Sequence, residues 1–183
     1  MRRRVAPVAL LILDVDGVLT DGRIIIDDQG AESKQFHVRD GHGLKLLMRS
    51  GIEVLFLTGR TSRVVEHRAN ELGVGGVYQG IKDKGRVLDE ILEDRGLSGE
   101  RVAYVGDDVV DIPVFRKVGF AIAVADAPDY VRQRAHYVTA TRGGEGAVRE
   151  VCDLILKIQG NWHTVTERYS MEETGHMPLH NED

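Results

Sequence analysis

The sequence predicts an α/β protein, a Rossmann-like, doubly wound parallel sheet with helices on both faces. Three observations carry that expectation. Aliphatic runs without polar alternation, such as Leu10-Leu11-Ile12-Leu13 and Val54-Leu55-Phe56-Leu57, read as strands buried on both faces. Segments with helical spacing separate these runs, so strands alternate with helices. The runs also end in polar chemistry: Asp14-Val15-Asp16 follows the first and Gly106-Asp107-Asp108 a later one. A buried strand has no reason to end in paired carboxylates unless something cationic meets them.

At 183 residues and 42% apolar content, the chain suits one domain with a sizeable core, assigned to residues 1–163 with a tail at 164–183. A net charge of -5 supplies no basic field for nucleic acid. Cys152, the single cysteine, excludes an internal disulfide and fits a reducing compartment. It lies in the apolar run Val151 to Ile158 and reads as a small buried hydrophobe. Met1-Arg2-Arg3-Arg4 ahead of Val5 to Leu13 superficially resembles a secretion signal, yet no small-residue cleavage site follows. That apolar run is too short to span a bilayer, so a cytoplasmic chain without a membrane partner is expected.

Taken in order, Leu10 to Leu13 is the first strand, and Gly17 lets the chain turn sharply after it. Two β-prone runs around Asp27-Asp28-Gln29-Gly30 predict a hairpin over about 20–38. Arg39 to Gly43 reads as a loop and Leu44 to Arg49 as a helix stopped at Gly51. The strand Glu53 to Leu57 ends in Thr58-Gly59-Arg60, and Thr61 or Ser62 caps a helix through Leu72. Gly76 to Gln79 is a short strand, and Lys82-Asp83-Lys84 leads into a helix over Arg86 to Arg95. Arg101 to Val105 forms the next strand, followed by a helix to about Val118 with Pro113 in its first turn. A strand at Phe120 to Val124, a helix at Pro128 to Ala135, a strand at His136 to Thr139 and a helix from Gly146 to about Gln159 complete the pattern.

In such a sheet a ligand lies beyond the carboxyl ends of the strands, the edge where Asp14, Thr58, Lys84 and Asp107 fall. Carboxylates that face one another repel unless a divalent cation neutralises them, and all-oxygen ligands suit Mg2+. Asp14 and Asp107 are the expected direct ligands, with the Asp16 backbone carbonyl a third and Asp108 or Asp111 acting through metal-bound water. A calcium loop is the competing idea, but these acids come from separated strands. Thr58 offers a hydroxyl, Gly59 an amide and Lys84 a charge beside a helix N-terminus, all suited to anionic oxygens. The set reads as a phosphoryl-transfer site. Asp14 attacks phosphorus, and Asp16 protonates the leaving alkoxide and then deprotonates water.

These residues resemble the motifs of the haloacid dehalogenase superfamily of aspartate-nucleophile phosphatases, over nearly all of residues 8–160. Asp14-Val15-Asp16-Gly17-Val18 looks like the first motif, Thr58 the second, Lys84 the third and Gly106 to Asp111 the fourth. Asp14 to Gly22, Val38 to Gly43, Val102 to Asp108, Ala123 to Ala127 and Gly146 to Leu154 further resemble the 3-deoxy-D-manno-octulosonate (KDO) 8-phosphate phosphatases, which serve lipopolysaccharide synthesis. The resemblance implies Asp14 and Asp107 as Mg2+ ligands and Asp14 as nucleophile. It implies substrate contacts at Asp16, His37, Val38, Arg39, Asp40, Gly41, Lys45, Arg60, Arg68 and Lys84. Independently, Arg60, Val64 and Arg68 recur at helical spacing and would place both arginines on one face. Lys45 departs from the family's arginine, and Glu145 stands where relatives often carry a basic residue.

Neither connection flanking Thr58 has room for a separate cap domain, so a capless fold is expected. The resemblance implies a homotetramer whose hairpins assemble. Ile24-Ile25-Ile26 gives a physical reason, because three consecutive isoleucines put apolar surface on both hairpin faces. The tail from Thr164 is expected to be mobile in an isolated subunit and to reach a neighbour's site. Two other functions compete: a phosphatase for nine-carbon, sialic-acid-type 9-phosphates, and a phospho-receiver binding domain. In a receiver domain the phosphorylated Asp lies on the third strand rather than the first.

Overall fold

Residues 1–169 are described in the computed structural model. In chain order the elements are α1 (Arg2–Val5), β1 (Leu10–Leu13), β2 (Ile25–Ile26), β3 (Glu32–Ser33), α2 (Val38–Arg49), β4 (Glu53–Leu57), α3 (Arg63–Leu72) and β5 (Gly76–Tyr78). They continue with α4 (Lys84–Arg95), β6 (Val102–Gly106), α5 (Ile112–Phe115), β7 (Phe120–Ala123), α6 (Asp129–Arg132), β8 (Tyr137–Val138), α7 (Ala147–Gln159) and α8 (Trp162–Thr166).

Six strands form one parallel sheet in the order β5-β4-β1-β6-β7-β8. β1 is buried at every position because it is central, with Leu13 opposite Phe56 of β4 and Val105 of β6. The chain winds outward from β1 through β4 to β5 and then crosses back to β6 on β1's other side. The order therefore reverses at β1, the place where open α/β sheets bind ligands. Strands β2 and β3 pair antiparallel as a separate hairpin after β1, with no cap domain beyond it. Among the described residues no helix is long and apolar enough to cross a membrane.

Helix α2 begins at Val38, so the loop expected at Arg39 to Gly43 is helical instead. Its glycines suggested a loop, but they permit close packing. A Cβ on Gly41 would stand 2.3 Å from Arg68 Nη2, and one on Gly43 would stand 2.9 Å from Arg149 Cδ. Asp40 is buried within that first turn, where its Oδ1 accepts from the Arg149 amide of α7 at 2.7 Å. Helix α4 starts at Lys84, two positions early, because Asp83 caps it by accepting from the Arg86 amide at 3.0 Å.

The boundary expected at residue 164 falls inside α8, where Val165 and Thr166 are buried. A 3₁₀ turn follows at Glu167–Tyr169. The Tyr169 hydroxyl lies 2.9 Å from His42 Nε2 and accepts from Arg49 Nη1 at 3.2 Å, fastening this segment to α2. The rest of the expected tail, 170–183, lies outside the described residues.

Candidate active site

The reversal at β1 brings four distant segments to one cleft of about 350 Å³. Asp14 and Asp16 follow β1, Thr58, Gly59 and Arg60 follow β4, Lys84 opens α4, and Asp107 and Asp108 follow β6. Gly22 and Val110 complete the lining. The turn after β1 needs a glycine: Gly17 has φ +89°, and a Cβ there would stand 2.1 Å from Asp107 Oδ2. A further restraint comes from far along the chain. Gly144 donates its amide to Val18 O at 2.9 Å, and a Cβ on Gly143 would stand 1.7 Å from Gly17 O.

Lys84 is the hub. Its ammonium lies 3.0 Å from Asp14 Oδ2 and donates to Asp111 Oδ1 at 2.7 Å and to the Tyr104 hydroxyl at 3.2 Å. Burial works against its charge, but Asp14 and Asp111 outweigh that and raise its pKa. Burial raises the Asp14 carboxyl to about 6 despite Lys84 beside it. The Asp107 carboxyl is raised to about 8 by burial, then by Asp14 and Asp111. Such a site is short of positive charge.

Oxygens of Asp14, Asp107 and Asp111 lie within 4.8 Å of one another. Asp111, however, is fully engaged. Its Oδ1 accepts from Lys84 and from the Tyr104 hydroxyl at 2.6 Å, and its Oδ2 accepts from the amides of Asp107 and Asp108 at 2.9 and 3.1 Å. Asp111 therefore organises the loop that carries Asp107. Asp107 Oδ1 is buried without a partner among the described residues. An orphaned acid oxygen beside Asp14, in a set made only of oxygen donors, fits a hard divalent cation such as Mg2+. Asp108 sits at the rim, where its Oδ1 accepts from the Val109 amide at 2.7 Å and the Tyr130 hydroxyl at 3.3 Å.

Asp16 meets a charge network from the hairpin: it pairs with Lys34, and its Oδ2 lies 3.8 Å from Arg60 Nε. Arg60 in turn binds Glu32 Oε1 at 3.0 Å. The remaining expected contacts do not reach this cleft within one chain. His37 caps α2, Val38 is 77% exposed at its start, and Asp40 and Gly41 are packed beneath it. Arg39 borders a second cleft with Glu145 and Arg149. Lys45 donates to Glu71 O at 3.0 Å, while Arg68 pairs with Glu71 at 2.8 Å and lies over the Phe36 ring. Arg60 precedes α3, so helical spacing does not place it on a face with Arg68.

Sequence reasoning missed Tyr104 and Lys34. Tyr104 stood out only as a polar-tipped aromatic inside the aliphatic strand Val102 to Val105, and a buried hydroxyl needs a partner. Lys34 carried no local signal.

The family model for haloacid dehalogenase-like hydrolases matches residues 75–151. The chain is 50% identical over 157 residues to the 3-deoxy-D-manno-octulosonate 8-phosphate phosphatase KdsC of Yersinia pestis, covering 86% of this chain and 84% of that one. It is 51% identical over 153 residues to KdsC of Escherichia coli K12, covering 84% and 81%. Among solved structures, the Moraxella catarrhalis 3-deoxy-D-manno-octulosonate 8-phosphate phosphatase in complex with a magnesium ion, a phosphate ion and a KDO molecule superposes with TM-score 0.90 at 40% identity, covering 92% of this chain and 97% of that one. The Yersinia pestis enzyme gives TM-score 0.86 at 49% identity, covering 87% and 86%. The chain belongs to the 3-deoxy-D-manno-octulosonate 8-phosphate phosphatase family of haloacid dehalogenase-like hydrolases, and it is a phosphoric monoester hydrolase.

Proposed function

We propose that the chain hydrolyses KDO 8-phosphate to the free sugar acid and inorganic phosphate, a step in lipopolysaccharide precursor synthesis, through an aspartyl phosphate on Asp14. The observation that carries this reading is the convergence of Asp14, Lys84 and the unpartnered Asp107 Oδ1 on one cleft. Asp14, Asp107 and the Asp16 backbone carbonyl would hold Mg2+, which when bound supplies the positive charge that Lys84 alone does not. Lys84 and the Thr58 hydroxyl bind phosphoryl oxygens, with the Gly59 amide beside them. An Asp14 oxygen attacks phosphorus as the ester P–O bond breaks, and Asp16 gives its proton to the departing sugar oxygen. Asp16 then takes a proton from the water that attacks the phosphoaspartate, which releases phosphate, frees Asp14 as the carboxylate and restores Asp16 as the acid.

Assembly completes the reading. Ile24, Ile25 and Ile26 are 57%, 41% and 58% exposed, apolar area that a hairpin of two-residue strands cannot cover alone. A tetramer with hairpins in contact would cover it. It would also let His37 to Arg39, Lys45 and Arg68 of one subunit face the cleft of another, with Asp40 and Gly41 packed beneath them. Deleting 170–183 rather than 164–183 tests the role expected of the tail, because α8 is packed.

The deciding measurement is kcat/KM for eight-carbon and nine-carbon sugar acid phosphates, with Mg2+ and with a chelator. Preference for the eight-carbon ester, lost with the chelator, is expected; preference for the nine-carbon ester overturns the substrate assignment. Asp14→Asn should abolish turnover in a folded protein, and full activity with deamidation excluded by mass spectrometry would overturn the nucleophile.

A further inference from the structure

The ion pair between Lys34 and Asp16 joins the hairpin to the group assigned as acid and base. Lys34 directly follows β3, two residues after Glu32, so alternation along an extended strand points both side chains the same way. That face meets the cleft. The Lys34 side chain is 1% exposed, and its ammonium lies against Asp16 Oδ1 and 3.4 Å from Glu32 Oε1. Glu32 also holds Arg60, whose Nε stands on the other oxygen of Asp16. Two segments, the hairpin and the loop after β4, therefore grip one carboxylate from two sides.

We infer that Lys34 is a positioning residue for proton transfer by Asp16, an inference that rests on the acid–base reading of Asp16. Burying a lysine costs several kcal/mol unless its charge is well paired, and surface solubility needs no such burial. By engaging Oδ1, Lys34 fixes the carboxylate's rotation. Oδ2 is left as the working oxygen, since among the described residues no hydrogen bond claims it. In the first step the Oδ2–H bond breaks and its proton passes to the leaving oxygen as the P–O bond breaks. In the second step a proton from water returns to Oδ2. The hairpin thereby sets the geometry of the acid as well as offering an assembly surface.

Leaving groups separate positioning from a merely structural role. An alkoxide needs the proton, whereas p-nitrophenolate departs without it. kcat/KM isolates the first step, so it is compared for KDO 8-phosphate and p-nitrophenyl phosphate, with melting temperature and light scattering recorded for each variant. Lys34→Met keeps the apolar stem. It is expected to lose about 10- to 100-fold on the sugar ester and less than about 3-fold on the aryl ester, less than the roughly 100- to 10,000-fold that general acid catalysis supplies in full because the acid itself is kept. Lys34→Arg should recover most of the loss. Equal losses on the two esters, or none, overturn the inference. Lys34→Gln is read by the same criterion if the methionine variant does not fold. Asp16→Asn is the control. If it shows the ester split and Lys34→Met does not, the Lys34 inference alone fails. If Asp16→Asn loses equally on both esters, the acid assignment fails and the inference with it.

Discussion

Asp111 accepts a 2.7 Å hydrogen bond from Lys84 where the two side chains are 0% and 1% exposed. Asp111 thus holds the lysine that faces Asp14, and also the amides of the loop carrying Asp107. Asp111→Asn keeps the shape but removes a charge from a buried pair. Lys84 keeps Asp14 at 3.0 Å, so the cost is the hydrogen bonds an amide cannot accept from the Asp107 and Asp108 N–H groups, about 1 to 3 kcal/mol by urea denaturation. Activity should fall by more than the loss of folded protein explains. A variant as stable as the parent would show that the pair does not hold this loop.

Gly17→Ala tests the tight turn. A side chain at φ +89° costs about 1 to 2 kcal/mol, and its Cβ would also collide with the Asp107 carboxylate. The expected outcome is weaker Mg2+ affinity by calorimetry together with a lower melting temperature. Unchanged Mg2+ affinity would remove Asp107 from the metal site.

The metal-free chain should become less stable as pH rises. Burial first raises both Asp14, to about 6, and Asp107, to about 8, above their ordinary value of 3.8. A folded state that binds protons more tightly than the unfolded chain loses stability as pH climbs through those values, here from about 4 to 8. Denaturation with chelator across that window should show the decline, and saturating Mg2+ should reverse most of it at pH 8. A flat metal-free profile contradicts the charge imbalance.

The exposed isoleucines predict an assembly defect. If hairpins join the proposed tetramer, Ile24→Ser combined with Ile26→Ser should lower the mass by light scattering while leaving the far-UV circular dichroism intact. An unchanged mass would place the interface elsewhere.

Much of this molecule was legible before its structure. Alternating strands and helices follow from hydrophobic period, and the acids after β1 and β6 announce themselves because buried strands do not otherwise end that way. Asp14, Thr58, Lys84 and Asp107 accordingly fell at one edge. Less legible was anything set by tertiary contact. Arg39 to Gly43 contains two glycines and was read as loop, yet helix packing against Arg68 and Arg149 uses those glycines. Lys34 reaches Asp16 across a hairpin that no local pattern fixes. Nor does a sequence reveal that both oxygens of Asp111 accept hydrogen bonds, from Lys84, Tyr104 and the amides of Asp107 and Asp108.

Gly143 has a consequence for how this enzyme tolerates inherited change. Because even a methyl group there would overlap the carbonyl of Gly17, a neutral-looking alteration near the carboxyl end of the domain presses directly on the turn that follows Asp14 and Asp16. Random mutagenesis scored for lost phosphatase activity would flag position 143 as if it belonged to the catalytic machinery, although it offers no functional group of its own. Substituting Arg142 or Glu145 on either side should therefore cost far less activity than substituting the glycines between them.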